Sequence, residues 1–267
     1  MAAPFSPSGV ITITTDFGHR GPFVGVMKGV MLRRFPQARV VDLTHETHVH
    51  WPAEAGFWLE RAYPYFPAGT VHLAVVDPGV GTERGVLLVE GDGHLFIAPD
   101  NGLLAGVVER LGGRALRVDD ERLQGLGLGE LSATFHGRDL FAPLAAELAA
   151  GNVTPEDIAS PCDSHVPSLI DPPELRGDEV RGVVVTTDHF GNLITNIDAV
   201  LLERFSFPVA LVAGRWIPVR RTYASVSPGD FLALINSFDV LEIARAEQSA
   251  AAALGLGWGA PVSVVED

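Results

Sequence analysis

One short segment combines a carboxylate, several glycines and a guanidinium. Residues 77–84 read DPGVGTER, so Asp77 opens the segment and Arg84 closes it. Glycine lets a backbone turn tightly and approach a ligand, and an arginine can hold a carboxylate ionised through paired hydrogen bonds. The pattern fits either a catalytic carboxylate oriented by Arg84 or a surface ion pair in an ordinary loop. It is not a nucleotide-binding P-loop, because the Gly-Lys-Ser/Thr ending is missing.

Two further segments carry side chains that are suited to chemistry. Residues 134–139 read TFHGRD, and His136 lies at the start of a predicted helix. There it could transfer a proton, or it could only cap or pack. Residues 188–192 read DHFGN and combine a carboxylate, an aromatic ring and an amide. Such a loop suits an aromatic base and a cationic amine, but a hairpin turn has a similar composition.

A histidine-rich segment, residues 45–50 (HETHVH), raises the question of a metal site. On an extended chain, His48 and His50 would share one face, as metal ligands can. The histidines are not four residues apart, as the helical metalloprotease motif requires, and no further ligand is identifiable. We therefore predict no metal, and keep a metal-dependent hydrolase as an alternative.

The composition narrows the class of protein. The chain has 267 residues, a net charge of −14 and 47% hydrophobic residues. This apolar content allows a sizeable core and argues against disorder, and the acidic balance argues against binding along nucleic-acid phosphates. No continuous apolar run could span a bilayer, no signal peptide is recognisable, and the single Cys162 excludes an internal disulfide framework. We expect a cytoplasmic protein without nucleic-acid or membrane partners.

Strand and helix signals alternate through the first half of the chain. This order indicates an α/β domain whose mostly parallel sheet is covered by helices. Ligands of such sheets bind beyond the carboxyl ends of the strands, and Asp16 and Asp77 each follow a predicted strand. The predicted strands are residues 10–15, 39–43, 71–76, 86–90, 94–98 and 115–118, and the predicted helices are residues 23–35, 52–63, 102–111 and 138–150.

The second half has a different pattern. Prolines interrupt residues 154–179, which favours a linker. Short strands with Gly and Pro turns then indicate a small all-β barrel or sandwich. We expect an α/β domain over residues 1–160, a linker over 161–178 and this all-β domain over 179–267. The predicted strands of the all-β domain are residues 180–187, 193–197, 209–212, 220–223, 231–236, 241–244 and 262–265.

Six segments in sequence order resemble one family. They are residues 16–18 (DFG), 41–46 (VDLTHE), 76–82 (VDPGVGT), 99–104 (PDNGLL), 134–139 (TFHGRD) and 190–192 (FGN). The chain resembles the S-adenosyl-L-methionine (SAM) hydroxide adenosyltransferases, or SAM hydrolases, which are relatives of the SAM-dependent fluorinase and chlorinase. Any one segment is a weak signal, but six in order are specific, and the likeness covers nearly the whole chain.

The resemblance implies a reaction and an assembly. SAM and water would give adenosine and L-methionine, with SAM as the substrate and no cofactor. The fold would be an N-terminal α/β domain followed by a C-terminal β-barrel. The protein would be a homotrimer, with each site between the large domain of one subunit and the small domain of its neighbour.

The resemblance also implies roles for particular residues. The family's Asp–Arg–His set falls on Asp77, Arg84 and His136. Asp16 would bind the ribose hydroxyls and Asn192 the adenine. Phe190 and Tyr223 would flank the base, and Asp188 would meet the methionine amine. The other implied substrate contacts are Trp51, Asn101, Phe135, Ser237 and Glu242.

The sequence departs from the family's pattern in ways that bear on specificity. Gly137 stands where the halogenases have Ser, and Val80 stands where they have Thr, so both positions argue against halide chemistry. Residues 48–51 replace a proline-containing segment, and either His50 or Trp51 could cover the ribose. The alternatives are a SAM-dependent halogenase and a non-catalytic protein that binds adenosine or SAM.

Overall fold

The computed structural model describes residues 5–267, which fold as two compact units. The first unit ends at Leu169 and the second begins at Ile170. Within the described chain, each unit is built on one large β-sheet, of seven strands in the first and eight in the second. No helix among these residues is both long and apolar enough to cross a bilayer.

The sheet of the first unit is mixed. Its strands lie in the order β2-β1-β3-β5-β4-β6-β7. The first four pair in parallel and the remaining pairings are antiparallel. The strands are β1 (Val10–Thr15), β2 (Arg39–Thr44), β3 (Val71–Val75), β4 (Val86–Gly91), β5 (His94–Pro99), β6 (Arg114–Val118) and β7 (Ala159–Pro161).

The mostly parallel sheet that we expected is therefore only half parallel. The reason is the turn at Asp92 and Gly93, where both residues have positive φ, 52° and 76°. A two-residue turn of this kind joins antiparallel strands, so β4 and β5 form a hairpin, and β6 and β7 continue the antiparallel half.

Helices cover both faces of this sheet. Alternate residues of a strand point to opposite faces, and in β3 Leu73 packs with Met27 and Leu144, whereas Ala74 packs with Leu59 and Leu104. One apolar cluster therefore lies under α1 and α5, and the other under α2 and α3. The helices are α1 (Phe23–Arg34), α2 (Pro52–Ala62), α3 (Ala105–Leu111), α4 (Asp120–Leu123), α5 (Ala142–Ala150) and α6 (Pro155–Ile158).

A polar chain crosses the core of the first unit. His72 on β3 is fully buried. Its Nδ1 lies 2.8 Å from the Thr12 hydroxyl, and its Nε2 lies 3.1 Å from His94 Nδ1. Its ring also stacks on Phe96 at 4.8 Å between centroids. Burial, followed by the neighbouring His94, lowers the pKa of His72 to about 3. The folded protein therefore keeps this imidazole neutral.

We expect this histidine to make the stability of the first unit fall in acid. Unfolding restores the ordinary pKa of 6.5, so below that pH the unfolded chain binds a proton that the folded chain refuses. The free energy of unfolding should drop by about 1.4 kcal/mol per pH unit on account of His72, down to about pH 3. Urea unfolding at pH 7.5, 6.0 and 5.0 measures the slope.

Two substitutions separate this effect from a loss of packing. His72→Gln should reduce the slope, whereas Thr12→Val should lower stability at every pH and keep the slope, because His72 remains. An unchanged slope in His72→Gln would show that this histidine does not cause the acid sensitivity.

The second unit is a nearly closed antiparallel barrel. Its main path is β12-β11-β15-β9-β10-β14-β13, and β8 pairs with β9. Val219, just after β12, bridges Ala233 on β13, which brings the two ends of the sheet together around an apolar core. The elements are β8 (Glu174–Arg176), β9 (Glu179–Thr187), β10 (Leu193–Asp198), β11 (Pro208–Val212), β12 (Arg215–Pro218), β13 (Phe231–Ile235), β14 (Val240–Arg245), α7 (Ala250–Leu254) and β15 (Pro261–Glu266).

One strand prediction in this unit is wrong. Residues 220–223 were expected to form a strand, but the strand there is β12 (Arg215–Pro218). Ala213 and Gly214 both have positive φ, 49° and 71°, and form a two-residue turn. The chain therefore folds back at once, and β12 is already paired with β11 before residue 220 is reached.

Candidate functional site

Asp77 and Arg84 form a buried ion pair at the carboxyl end of β3. Arg84 Nε donates to both carboxylate oxygens, at 2.9 Å and 3.0 Å, and Nη2 donates to Oδ2 as well. The side chains are only 5% and 11% exposed, for Asp77 and Arg84 respectively. This burial is not that of an ordinary surface ion pair, and the fork of donors fixes the plane of the carboxylate.

His136 joins this pair through the same guanidinium. Arg84 Nη2 lies 3.0 Å from His136 Nδ1. A guanidinium can only donate hydrogen bonds, so Nδ1 must accept with its lone pair, and the neutral ring carries its proton on Nε2. His136 immediately precedes a π-helical turn, Gly137–Phe141, that leads into α5. The fold thus brings together the three residues that the sequence placed far apart.

The loop after β3 is held against the loop that carries His136. Gly81 has φ +80°, and a Cβ there would lie 2.3 Å from the carbonyl oxygen of Ala133. Within the loop, Thr82 Oγ1 donates to Gly79 O at 2.7 Å. Only glycine allows this close approach, so the backbone itself fixes the separation of Arg84 and His136.

Asp139 anchors the other side of the same loop. Its carboxylate accepts from Arg138 Nε at 2.5 Å and from the Ser132 backbone at 3.0 Å. These hydrogen bonds, with the Arg138 bond the larger cause, lower the pKa of Asp139 to about 2. The segment around His136 is therefore held by the contact of Ala133 with Gly81 and by the hydrogen bonds of Asp139.

Asn101 is hydrogen-bonded to the backbone next to Asp77. Its Nδ2 donates to the carbonyl of Val76 at 2.9 Å, and its Oδ1 accepts from the Leu103 backbone at 3.3 Å. Val76 directly precedes Asp77. In this structure Asn101 holds the end of β3, and the substrate contact that the resemblance implied for it stays a prediction.

Asp16 follows β1, and its Oδ2 accepts a hydrogen bond from the His50 backbone at 2.9 Å. His50 has φ +64°, and His48 Nδ1 lies 2.6 Å from Glu54 Oε2, so this segment is a turn and not the extended chain we considered for metal ligands. In residues 5–267 no cluster of three or more His, Cys, Asp or Glu could hold a metal. Trp51 directly precedes α2.

Phe135 belongs to an aromatic cluster that sequence reasoning missed. Its ring lies 6.0 Å from that of Phe17 and 5.5 Å from that of Phe23, both edge to face. Phe17 was visible in the DFG segment, but nothing in the sequence paired it with Phe135. The cluster links the loop after Asp16 to the residue before His136.

The second unit holds the other predicted binding residues on its turns. Asp188 Oδ1 accepts from the backbones of Phe190 and Asn192, at 2.9 Å and 2.8 Å, and Oδ2 accepts from Asn192 Nδ2 at 2.9 Å. These bonds build the turn between β9 and β10. The Phe190 ring is 75% exposed, which leaves its face open to a ligand.

Tyr223 and Glu242 form a second polar group in this unit. The Tyr223 hydroxyl donates to Glu242 Oε1 at 2.5 Å. Burial is the largest cause that raises the pKa of Glu242, and the charge of Asp188 acts in the same direction. Burial and Glu242 also raise the pKa of Tyr223. Ser237 lies in the turn between β13 and β14.

The predicted residues thus form two sets. Each set lies within one unit: Asp16, Trp51, Asp77, Arg84, Asn101, Phe135 and His136 in the first, and Asp188, Phe190, Asn192, Tyr223, Ser237 and Glu242 in the second.

Family models match both parts of the chain. The model described as the SAM hydroxide adenosyltransferase N-terminal domain matches residues 11–159, and that of the C-terminal domain matches residues 182–263. The chain belongs to the SAM hydroxide adenosyltransferase family. The resemblance inferred from six sequence segments is confirmed.

Individual relatives agree with this membership. The chain is 40% identical to an (R)-S-adenosyl-L-methionine hydrolase of Thermus thermophilus, over 94% of this chain and 97% of the relative. A hydrolase of the same name from Salinispora tropica is also 40% identical, over 94% and 95%. A fluorinase of Actinoplanes sp. is 29% identical, over 98% and 99%.

A solved structure shares the fold. The crystal structure of an uncharacterised conserved protein from Thermotoga maritima superposes with a TM-score of 0.88 at 32% identity. The match covers 96% of this chain and all of that one. The chain therefore shares its fold with a structure solved by experiment.

We expect Gly81→Ala to destabilise the loop that carries Asp77 and Arg84. The added methyl group would clash with the Ala133 carbonyl, and alanine disfavours the positive φ of this position. The free energy of unfolding should therefore fall by about 2 kcal/mol or more. Gly112→Ala is the control, because Gly112 also has positive φ (+54°) but nothing lies within 4 Å of its Cβ position. Urea unfolding of both variants isolates the clash, and equal losses would contradict it.

Proposed function

We propose that this protein hydrolyses SAM to adenosine and L-methionine by attack of water at C5′ of the ribose. The observation that supports this most strongly is the buried Asp77–Arg84–His136 group, in a chain whose relatives are named (R)-S-adenosyl-L-methionine hydrolase. The non-catalytic binding protein that we considered would have no need of such a group.

The leaving group of this reaction needs no catalytic assistance from the protein. Sulfur departs from the sulfonium as a neutral thioether, so no oxyanion develops and the leaving group needs no proton. What remains is to hold one water molecule in line with the C5′–S bond and to accept its proton. Orientation of this kind can supply roughly 7–11 kcal/mol of the barrier in favourable cases, and a positioned base adds about 10²–10⁴-fold.

The hydrogen-bond directions assign roles to the three side chains. Arg84 occupies His136 Nδ1 and orients the carboxylate of Asp77. His136 then presents Nε2–H, which donates to the water oxygen, while a free lone pair of Asp77 accepts a water proton. Water held by one donor and one acceptor keeps a lone pair for attack at C5′, and Asp77 takes the proton as the C–O bond forms.

The second set of residues would bind the rest of the substrate. We assign Asn192 and the exposed Phe190 ring to the adenine, with Tyr223 on its other side, and the carboxylates of Asp188 and Glu242 to the methionine ammonium. In the homotrimer that the resemblance implies, neighbouring subunits supply the two sets. The cytoplasmic location and the absence of a cofactor stay predictions from the sequence.

We expect the protein to release adenosine and methionine from SAM, and Asp77→Asn to lower kcat by about 10²–10⁴-fold because an amide accepts no proton from water. In ¹⁸O-labelled water, the label should enter the 5′-hydroxyl of adenosine. Chromatography with mass spectrometry measures both. Adenosine binding by Asp77→Asn, measured by calorimetry, should stay within about threefold of the parent, since Asp77 acts on water.

Glu147→Gln serves as a control for the loss of a charge partner, because Glu147 pairs with Arg34 at 2.7 Å on α5 and α1. It should keep its turnover. Turnover of Asp77→Asn at the parental rate would remove Asp77 from the mechanism. Binding of SAM by the parent protein without any product would favour the non-catalytic alternative.

Halide chemistry is disfavoured by the lack of a side-chain hydroxyl at Gly137. A Cβ there would lie 3.2 Å from Met27 Sδ and 3.2 Å from the Phe135 ring, so the Ser that the resemblance places in halogenases would require these side chains to shift by a few tenths of an ångström. We expect no 5′-halo-5′-deoxyadenosine when SAM is incubated with high chloride or fluoride. Mass spectrometry of the products decides this, and any clear yield would support the halogenase.

A further inference from the structure

The histidine-rich segment has a buried end that the proposed mechanism does not use. His45 is 1% exposed, and its Nδ1 lies 2.8 Å from the hydroxyl of Thr15, the last residue of β1. Its Nε2 lies 3.1 Å from Asp42 Oδ1, and Lys28 Nζ lies 2.6 Å from the other oxygen of the same carboxylate. A carboxylate, an imidazole and a hydroxyl thus lie in one row beside the end of β1.

The neighbouring contacts fix the direction of this row. The Asp42 carboxylate can only accept, so the His45 nitrogen that faces it, Nε2, carries the proton of the neutral imidazole. Nδ1 then accepts from the Thr15 hydroxyl, whose oxygen also accepts from the Phe17 backbone at 3.2 Å. The contact between His45 Nε2 and Asp42 is close but poorly aligned, so it acts as an electrostatic contact and not as a strong hydrogen bond.

The row supports the backbone on both sides of Asp16. Thr47 Oγ1 donates to the Thr15 carbonyl at 3.1 Å, and the Gly18 backbone donates to the His45 carbonyl at 2.8 Å. Residues 15, 17 and 18 are therefore each bonded to residues 45–47 or to the Thr15 hydroxyl. Burial lowers the pKa of His45 against the opposing effect of Asp42, which favours the neutral form that this arrangement uses.

We propose that His45 is a positioning residue, which acts through Thr15 and with Asp42 to fix the backbone around Asp16 so that its carboxylate is held ready for the vicinal hydroxyls of a nucleoside ribose. This inference rests on the proposed function for its ligand. A binding group that is already fixed loses less conformational freedom when the ligand arrives. The row should therefore contribute to affinity for the nucleoside and little to the chemical step.

Two threonines of β1 make a matched test. Thr15 and Thr12 are both fully buried, and each hydroxyl lies 2.8 Å from a histidine Nδ1. Thr15→Val should raise KM for SAM and Kd for adenosine about tenfold, with kcat within about twofold of the parent. Thr12→Val loses an equivalent hydrogen bond, to His72, and should leave KM, Kd and kcat unchanged. Steady-state kinetics and calorimetry give these values.

Substitution of His45 tests the imidazole directly. An Asn side chain can place an acceptor near the position of Nδ1, so His45→Asn should recover most of the affinity that His45→Leu loses. The inference is overturned if Thr15→Val binds adenosine like the parent, if Thr12→Val weakens binding as much as Thr15→Val, or if His45→Asn and His45→Leu are equally impaired at equal stability.

Adenosine binding, measured by calorimetry, tests the role of His45 separately from the proposed reaction. If the parent binds adenosine but does not cleave SAM, the proposed hydrolysis fails, and the adenosine affinities of the variants still decide the role of His45. If the parent binds no adenosine at all, the positioning role is overturned as well.

Discussion

The guanidinium of Arg84 is the group on which the first unit's site depends. It is shared between the carboxylate of Asp77 and the imidazole of His136. Because a guanidinium only donates, it dictates the tautomer of His136 and the plane of Asp77 at the same time. A lysine could neutralise the same carboxylate, but its single ammonium would not fix both partners in this way. The water-holding geometry that we propose follows from this one shared donor.

The surrounding fold supplies the precision that a shared donor needs. Asn101 ties down the carbonyl of Val76, directly before Asp77. The missing side chain of Gly81 lets the Ala133 backbone approach, and Asp139 holds the segment that contains His136. Asp16 receives similar support from the side chains and backbone of residues 45–47. Except at Gly81, a polar side chain that a motif search would assign to the ligand, or would ignore, also holds a loop.

Much of the fold could be predicted from local signals, since β1 and the helix start at Pro52 follow directly from β-branched residues and from proline at the first helical turn. The prediction went wrong where a weak turn signal decided the outcome, as at Ala213 and Gly214. The trio of Asp77, Arg84 and His136 came from a resemblance. Contacts such as Phe17 with Phe135, or Thr15 with His45, depend on the packing of distant segments, and no local pattern in one sequence encodes them.

The strands of the first unit have two ends that differ in what they carry. The carboxyl ends of β1, β3 and β5 lie at one end of the sheet, whereas the turn at Asp92 and Gly93 lies at the opposite end. The six residues of β5 separate these two ends of the sheet by about 20 Å. Asp92 is exposed, so this hairpin tip offers an attachment point for a fluorophore or a surface tether, at the end of the sheet opposite to Asp77.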